Sequence, residues 1–88
     1  MLLPTMLTVT KLPDDPSTTI VIGKFPVPGG DNVVLVEGIG LPEERSKEAY
    51  TTAIKKAVDS IFGTLSGWSS GSDYRAKLAE GLAADLLK

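Results

Sequence analysis

The sequence has no cysteine and no histidine. Without thiols there can be no disulfides and no thiolate metal sites, and nothing points to an oxidising compartment, so a cytoplasmic setting is the expectation. Without imidazole the usual acceptor of a serine nucleophile's proton is missing. Excess charge is lacking too: nine Lys and Arg against eleven Asp and Glu leave a net charge of −2, short of the basic surplus that neutralising a run of phosphates requires. No apolar run approaches the ~18 residues needed to cross a bilayer. The opening MLLPTMLTVTKLP is apolar but has no basic start, contains Pro4 and reaches Lys11 early, so it reads as part of a soluble fold, not as a targeting or membrane segment. Length is also limited. The 88 residues fit one small domain, 1–88, and a chain this short buries only roughly 60–65% of its unfolded surface, so association with another chain would add stability.

What is present is patterned. Residues 6–12, MLTVTKL, alternate with Leu7 and Val9 on one side and Thr8 and Thr10 on the other, the period of a half-buried strand. Pro13-Asp14-Asp15-Pro16 then favours a turn, because proline fixes φ and aspartate side chains bond nearby amides. Two β-branched stretches, Thr18 to Phe25 and Asn32 to Glu37, flank Pro26-Val27-Pro28-Gly29-Gly30-Asp31 and predict a hairpin with a loop of about six residues. Both faces of that hairpin are apolar: Ile20 and Ile22 oppose Val21 and Phe25, while Val33 and Leu35 oppose Val34 and Val36. Both faces should therefore be covered.

Pro42, followed by Glu43 and Glu44, predicts a helix starting near Leu41 or Pro42. Its apolar stripe is Ala49, Tyr50, Ala53, Ile54, Ala57, Val58, Ile61 and Phe62, and Glu43 with Lys47 and Lys55 with Asp59 are i,i+4 pairs on its polar side. Gly63 and then Ser66-Gly67 end it. Ser70 or Ser72 can cap a second helix from Asp73 to about Leu87, with Tyr74, Leu78, Leu82 and Leu86 on one face beside Ala79 and Ala83. The fold class that follows is α+β: a three-stranded antiparallel sheet followed by two amphipathic helices, βββαα, in two layers.

Four stretches invite a chemical reading. Gly67-Trp68-Ser69-Ser70-Gly71 fits the G-x-S-x-G elbow of serine hydrolases. Such a match arises by chance in roughly 7% of chains with nine Gly and seven Ser in 88 residues, and the elbow needs a preceding strand where this chain predicts a helix, so a helix-linking loop is expected. Thr52-x-x-Lys55 has the spacing of a lysine-activated hydroxyl, but activation needs desolvation and Lys55 falls on the polar side of its helix. Gly38-Ile39-Gly40 superficially matches a dinucleotide-binding turn, yet position 43 is glutamate where a third glycine belongs, so the glycines are expected to supply tight backbone geometry between strand and helix. Asp14, Asp15 and Asp31 lie in turns and suit capping better than a cation site. The sequence thus supports no catalytic residue, no cofactor and no metal, and the expectation is a non-enzymatic protein.

The function it supports is contact. Two helices on one side leave one apolar sheet face bare unless they clamp the sheet from opposite sides, and an interface with a second copy or another protein is the favoured resolution. The candidate residues are Val33, Val34, Leu35 and Val36. Trp68 joins them, since a lone tryptophan in a Ser/Gly loop is either a lid on its own core, near Phe62, Leu65, Tyr74 and Leu78, or an anchor for a partner. The expected role is that of an inhibitor, adaptor or assembly subunit of the kind small phage and accessory genes encode, with a protein partner or a homo-oligomer. A nucleic-acid-binding module using Arg45, Lys47, Lys55 and Lys56 is the alternative, set against Glu43, Glu44, Glu48 and Asp59 on the same surface.

Overall fold

The computed structural model describes residues 4–15, 17–26, 29–64 and 71–88. Strand β1 spans Met6–Lys11, β2 Thr19–Pro26 and β3 Asn32–Ile39, followed by helix α1 over Lys47–Thr64 and α2 over Ser72–Leu86. The strands form one antiparallel sheet in the order β1-β2-β3. The fold is the βββαα, α+β arrangement that the periodicities predict.

Both helices pack on the same sheet face. Alternation along β2 buries Thr19, Val21, Gly23 and Phe25 while leaving Ile20, Ile22, Lys24 and Pro26 partly open. The register sets Leu7 and Val9 of β1 beside Gly23 and Val21, and Leu35 and Ile39 of β3 beside Gly23 and Thr19. These side chains meet Ile54, Val58, Ile61 and Phe62 of α1 and Ala79, Leu82 and Ala83 of α2 in one core. Helix α1 lies over β3 and β2, and α2 lies against α1 and over β1.

Phe25 is the centre of that core. Its ring is fully buried, stands edge-on to Phe62 at 5.5 Å between centroids, and lies over Gly23. A Cβ at Gly23 would come within 2.6 Å of Phe25 Cε1, so the strand carries a glycine where a ring crosses its backbone. Tyr74 of α2 extends the aromatic row, 6.4 Å from Phe62.

The helix starts differ from the sequence expectation. Ser46, not Pro42, begins α1: its carbonyl accepts the Tyr50 N–H at 3.0 Å and its hydroxyl oxygen accepts the Ala49 N–H at 3.2 Å while donating to Glu44 at 2.9 Å. A serine that satisfies an orphan amide defines the helix entry more strongly than a proline suited to the first turn. Glu43 and Glu44 therefore precede the helix, Glu48 is the acid of its first turn, and Glu43 with Lys47 is no helical pair. Gly63 lies inside α1, which runs on to Thr64. In α2 Gly71 occupies the capping position without a side-chain cap and Ser72 is the first helical residue, while Ser70 lies outside the described residues. Gly38 and Ile39 belong to β3, and neither Gly38 nor Gly40 has a positive φ. Among the described glycines only Gly29, in the β2–β3 connection, does, at 81°.

Candidate functional site

The face away from the helices is set by the same alternation. Its rows across the sheet are Met6, Lys24 and Val34, then Thr8, Ile22 and Val36, then Thr10, Ile20 and Gly38. Val34 and Val36 are each 56% exposed and Met6 43%, the exposed large apolar side chains of the described structure. Ile20 and Ile22, on the central strand, are half-buried by their neighbours. Among the described residues of these rows Lys24 is the one charge, and none of them is a carboxylate.

The four sheet candidates divide by parity. Val34 and Val36 point away from the helices, whereas Val33 and Leu35 share the helix side, Leu35 packed against the core. Trp68, together with Leu65 and the serines of the G-x-S-x-G match, lies outside the described residues. Sequence reasoning did not place Met6, Thr8, Ile20, Ile22 or Lys24 in the site. Their membership follows from the register, in which Pro26 opposes Asn32 and Ile22 opposes Val36. The alternation of each strand carried the signal, but no residue of the loop fixed the offset between strands.

The basic residues of α1 do not form one patch. Lys55 pairs along α1 with Asp59 at 3.0 Å, and Asp59 also accepts a bond from Arg75 Nε of α2 at 2.6 Å. Lys56 lines a groove of about 340 Å³ between α1 and the end of β3, with Glu37, Gly38, Gly40, Ala53 and Ala57. Lys47 lines a second groove, about 380 Å³, with Glu48, Thr51 and Glu80. Thr51 Oγ1 is the one buried side-chain oxygen or nitrogen among the described residues that has no hydrogen-bond partner. Thr52 donates its hydroxyl to the Glu48 carbonyl at 3.0 Å, and Lys55 is committed to Asp59.

Of the turn acids, Asp15 accepts bonds from the Ser17 amide at 3.2 Å and from the hydroxyls of Ser17 and Thr18 at 2.5 and 2.6 Å. The Ser17 hydroxyl first, and then that of Thr18, holds its carboxyl below the ordinary value of 3.8. Among the described residues no three acidic side chains converge as a metal site would require.

Asp59 joins the two helices. Partial burial pushes its carboxyl up, but bonds from Lys55 and Arg75 outweigh this and leave it below 3.8. A depressed carboxyl stabilises the fold above its unfolded pKa, and that contribution is lost as pH falls through the lower folded value. Asp59→Asn should therefore flatten the decline of the melting temperature below about pH 4. With the Asp59 side chain 39% exposed, solvent screening keeps the effect to at most about 1 kcal/mol. Melts from neutral pH to about pH 3 measure it; an unchanged slope in the variant would mean that Asp59 contributes nothing.

These features define a class by architecture: an antiparallel three-stranded meander with two helices on one face and an apolar opposite face. Set against protein-family models, curated proteins and solved structures, the chain matches none. No described helix is long and apolar enough to cross a membrane.

Proposed function

We propose that the protein is a non-enzymatic contact module that works through the uncovered sheet face. The supporting observation is the exposure of Val34 and Val36, 56% each, in continuous rows with Ile22 and Met6. Apolar side chains stand in water on both sides of the central strand, and burying a half-exposed valine yields about 1 kcal/mol. An inhibitor, adaptor or assembly subunit uses such a surface, and a second copy of the chain is its simplest occupant.

Three strands of about seven residues cover a footprint of roughly 350 Å². A standard interface takes about 800 Å² per partner, so stacking of two such faces, about 10 Å apart, gives a weak dimer. The copies must also be turned so that their Lys24 ammonium groups leave by opposite rims. Light scattering over about 10 µM to 1 mM protein should show a mass rising toward two chains. A constant monomer mass across that range would remove the second copy as the partner.

A further inference from the structure

We infer that the outer edge of β3 accepts an extended segment of another protein as a fourth, antiparallel strand, an inference that rests on the contact reading above and names a partner for it. The main-chain geometry carries this. The Leu12 N–H donates to the Thr18 carbonyl at 3.0 Å and the Thr5 N–H to the Lys24 carbonyl at 2.8 Å. With the β1–β2 register, these bonds turn the main-chain groups of Ile20, Ile22 and Lys24 toward β1. Antiparallel alternation then directs those of Val21, Gly23 and Phe25 toward Glu37, Leu35 and Val33 of β3. The amides and carbonyls of Val34, Val36 and Gly38 are left pointing out over the edge. Three donors and three acceptors in a row, on an eight-residue strand with no proline and no lysine, are a template for another strand.

A second copy fits that edge less readily than a lone strand. Helix α1 lies over β3 and β2, so antiparallel edge-to-edge pairing would set two α1 helices side by side on one face, where helix pairs need ~8–10 Å. A lone strand meets no such obstacle. Ala53 and Ala57 keep the α1 side of the groove at the end of β3 shallow.

The edge also specifies chemistry. Residues of the added strand on the uncovered face lie beside Val34 and Val36 and should be β-branched. Those on the other face enter the groove, where Glu37, the only charged side chain of β3, is half-buried with no ion pair among the described residues. Lys56 lines the same groove but is exposed, whereas Glu37 is half-buried on its strand. Opposite charges in cross-strand positions attract, so the segment carries a lysine or arginine opposite Glu37.

The test uses an acetylated, amidated hexapeptide that alternates valine with threonine and has a lysine at the central groove-side position. Titrated into 15N-labelled protein, it should shift the Val34, Val36 and Gly38 amides saturably and slow their hydrogen exchange. Because those residues pair with the peptide residues on the same face, N-methylation of its valines should weaken binding at least about tenfold, while N-methylation of its threonines should not. Glu37→Gln should weaken it about threefold or more. Val36→Pro removes an outward N–H and no ladder bond, so it should abolish binding with the spectrum still dispersed; if that variant does not fold, the methylated peptides decide alone. No shift of the three amides at millimolar peptide, or equal binding by the valine-methylated peptide, overturns the inference. Strong hydrogen-exchange protection of the outward Val34, Val36 and Gly38 amides on raising protein concentration without peptide, which stacking of the faces does not give because it leaves those edge amides unbonded, overturns it in favour of a second copy at the edge. A protein that self-associates yet ignores the peptide refutes the strand partner and leaves the contact reading intact.

Discussion

Phe25→Ala should lower the stability by about 3–5 kcal/mol, a large share of what a domain of this size possesses. The ring is fully buried, holds the edge-on contact with Phe62, and lies over Gly23. Its loss leaves a void between Gly23 and Phe62. The companion variant Gly23→Ala places a methyl 2.6 Å from Phe25 Cε1, an overpacking that costs about 1–3 kcal/mol. Combined with Phe25→Ala, the added methyl no longer meets the ring and fills part of the void. The two substitutions should therefore couple, the alanine at position 23 being near neutral or stabilising once the ring is gone. Urea melts of the four proteins measure the cycle. If Gly23→Ala costs the same with and without the ring, the strand's glycine has another cause.

Val34→Glu combined with Val36→Glu should weaken self-association at least about a hundredfold, since burying unpaired carboxylates opposes contact. The fold itself should persist, losing no more than about 1 kcal/mol, because both side chains are already largely in water. Leu35→Glu, one residue between them, should instead unfold the protein, because its side chain lies on the helix side against the core. Light scattering with thermal melts separates the two outcomes. If the double variant associates as the wild type does, the uncovered face is not the contact surface.

Much of this surface was legible in the sequence as a contradiction. The hairpin Thr19–Ile39 is apolar on both faces, while two short helices offer stripes enough to cover one. Period-2 alternation located the strands to within a residue or two, and the 3.6-residue stripe of α1 named its buried side chains, since Tyr50, Ile54, Ala57, Val58, Ile61 and Phe62 are all buried. Parity alone could not say which half of the hairpin faces the helices. That depends on β1, whose Leu7 and Val9 join the side of Val21 through the register. The start of α1 was misplaced because Pro42 and Ser46 both suit a helix entry, and only the bonds of Ser46 decide between them. Asp59 with Arg75, 16 residues apart, joins through helix packing that has no local signature. The direction of the β3 main chain is likewise a property of pairing and not of side-chain type.

The packing of α2 over β1 has a consequence for synthesis. Leu7 and Val9 leave the ribosome early, but the helix residues that shelter them, Ala79, Leu82 and Ala83, follow about 70 residues later. At ~5–20 residues per second the delay is roughly 4–14 s, and the hairpins, each formed between sequence neighbours, can close long before it ends. During that interval the nascent sheet shows apolar side chains on both sides and carries two open edges. The chain is therefore most exposed to chaperones, and to the wrong neighbour, before its last helix arrives.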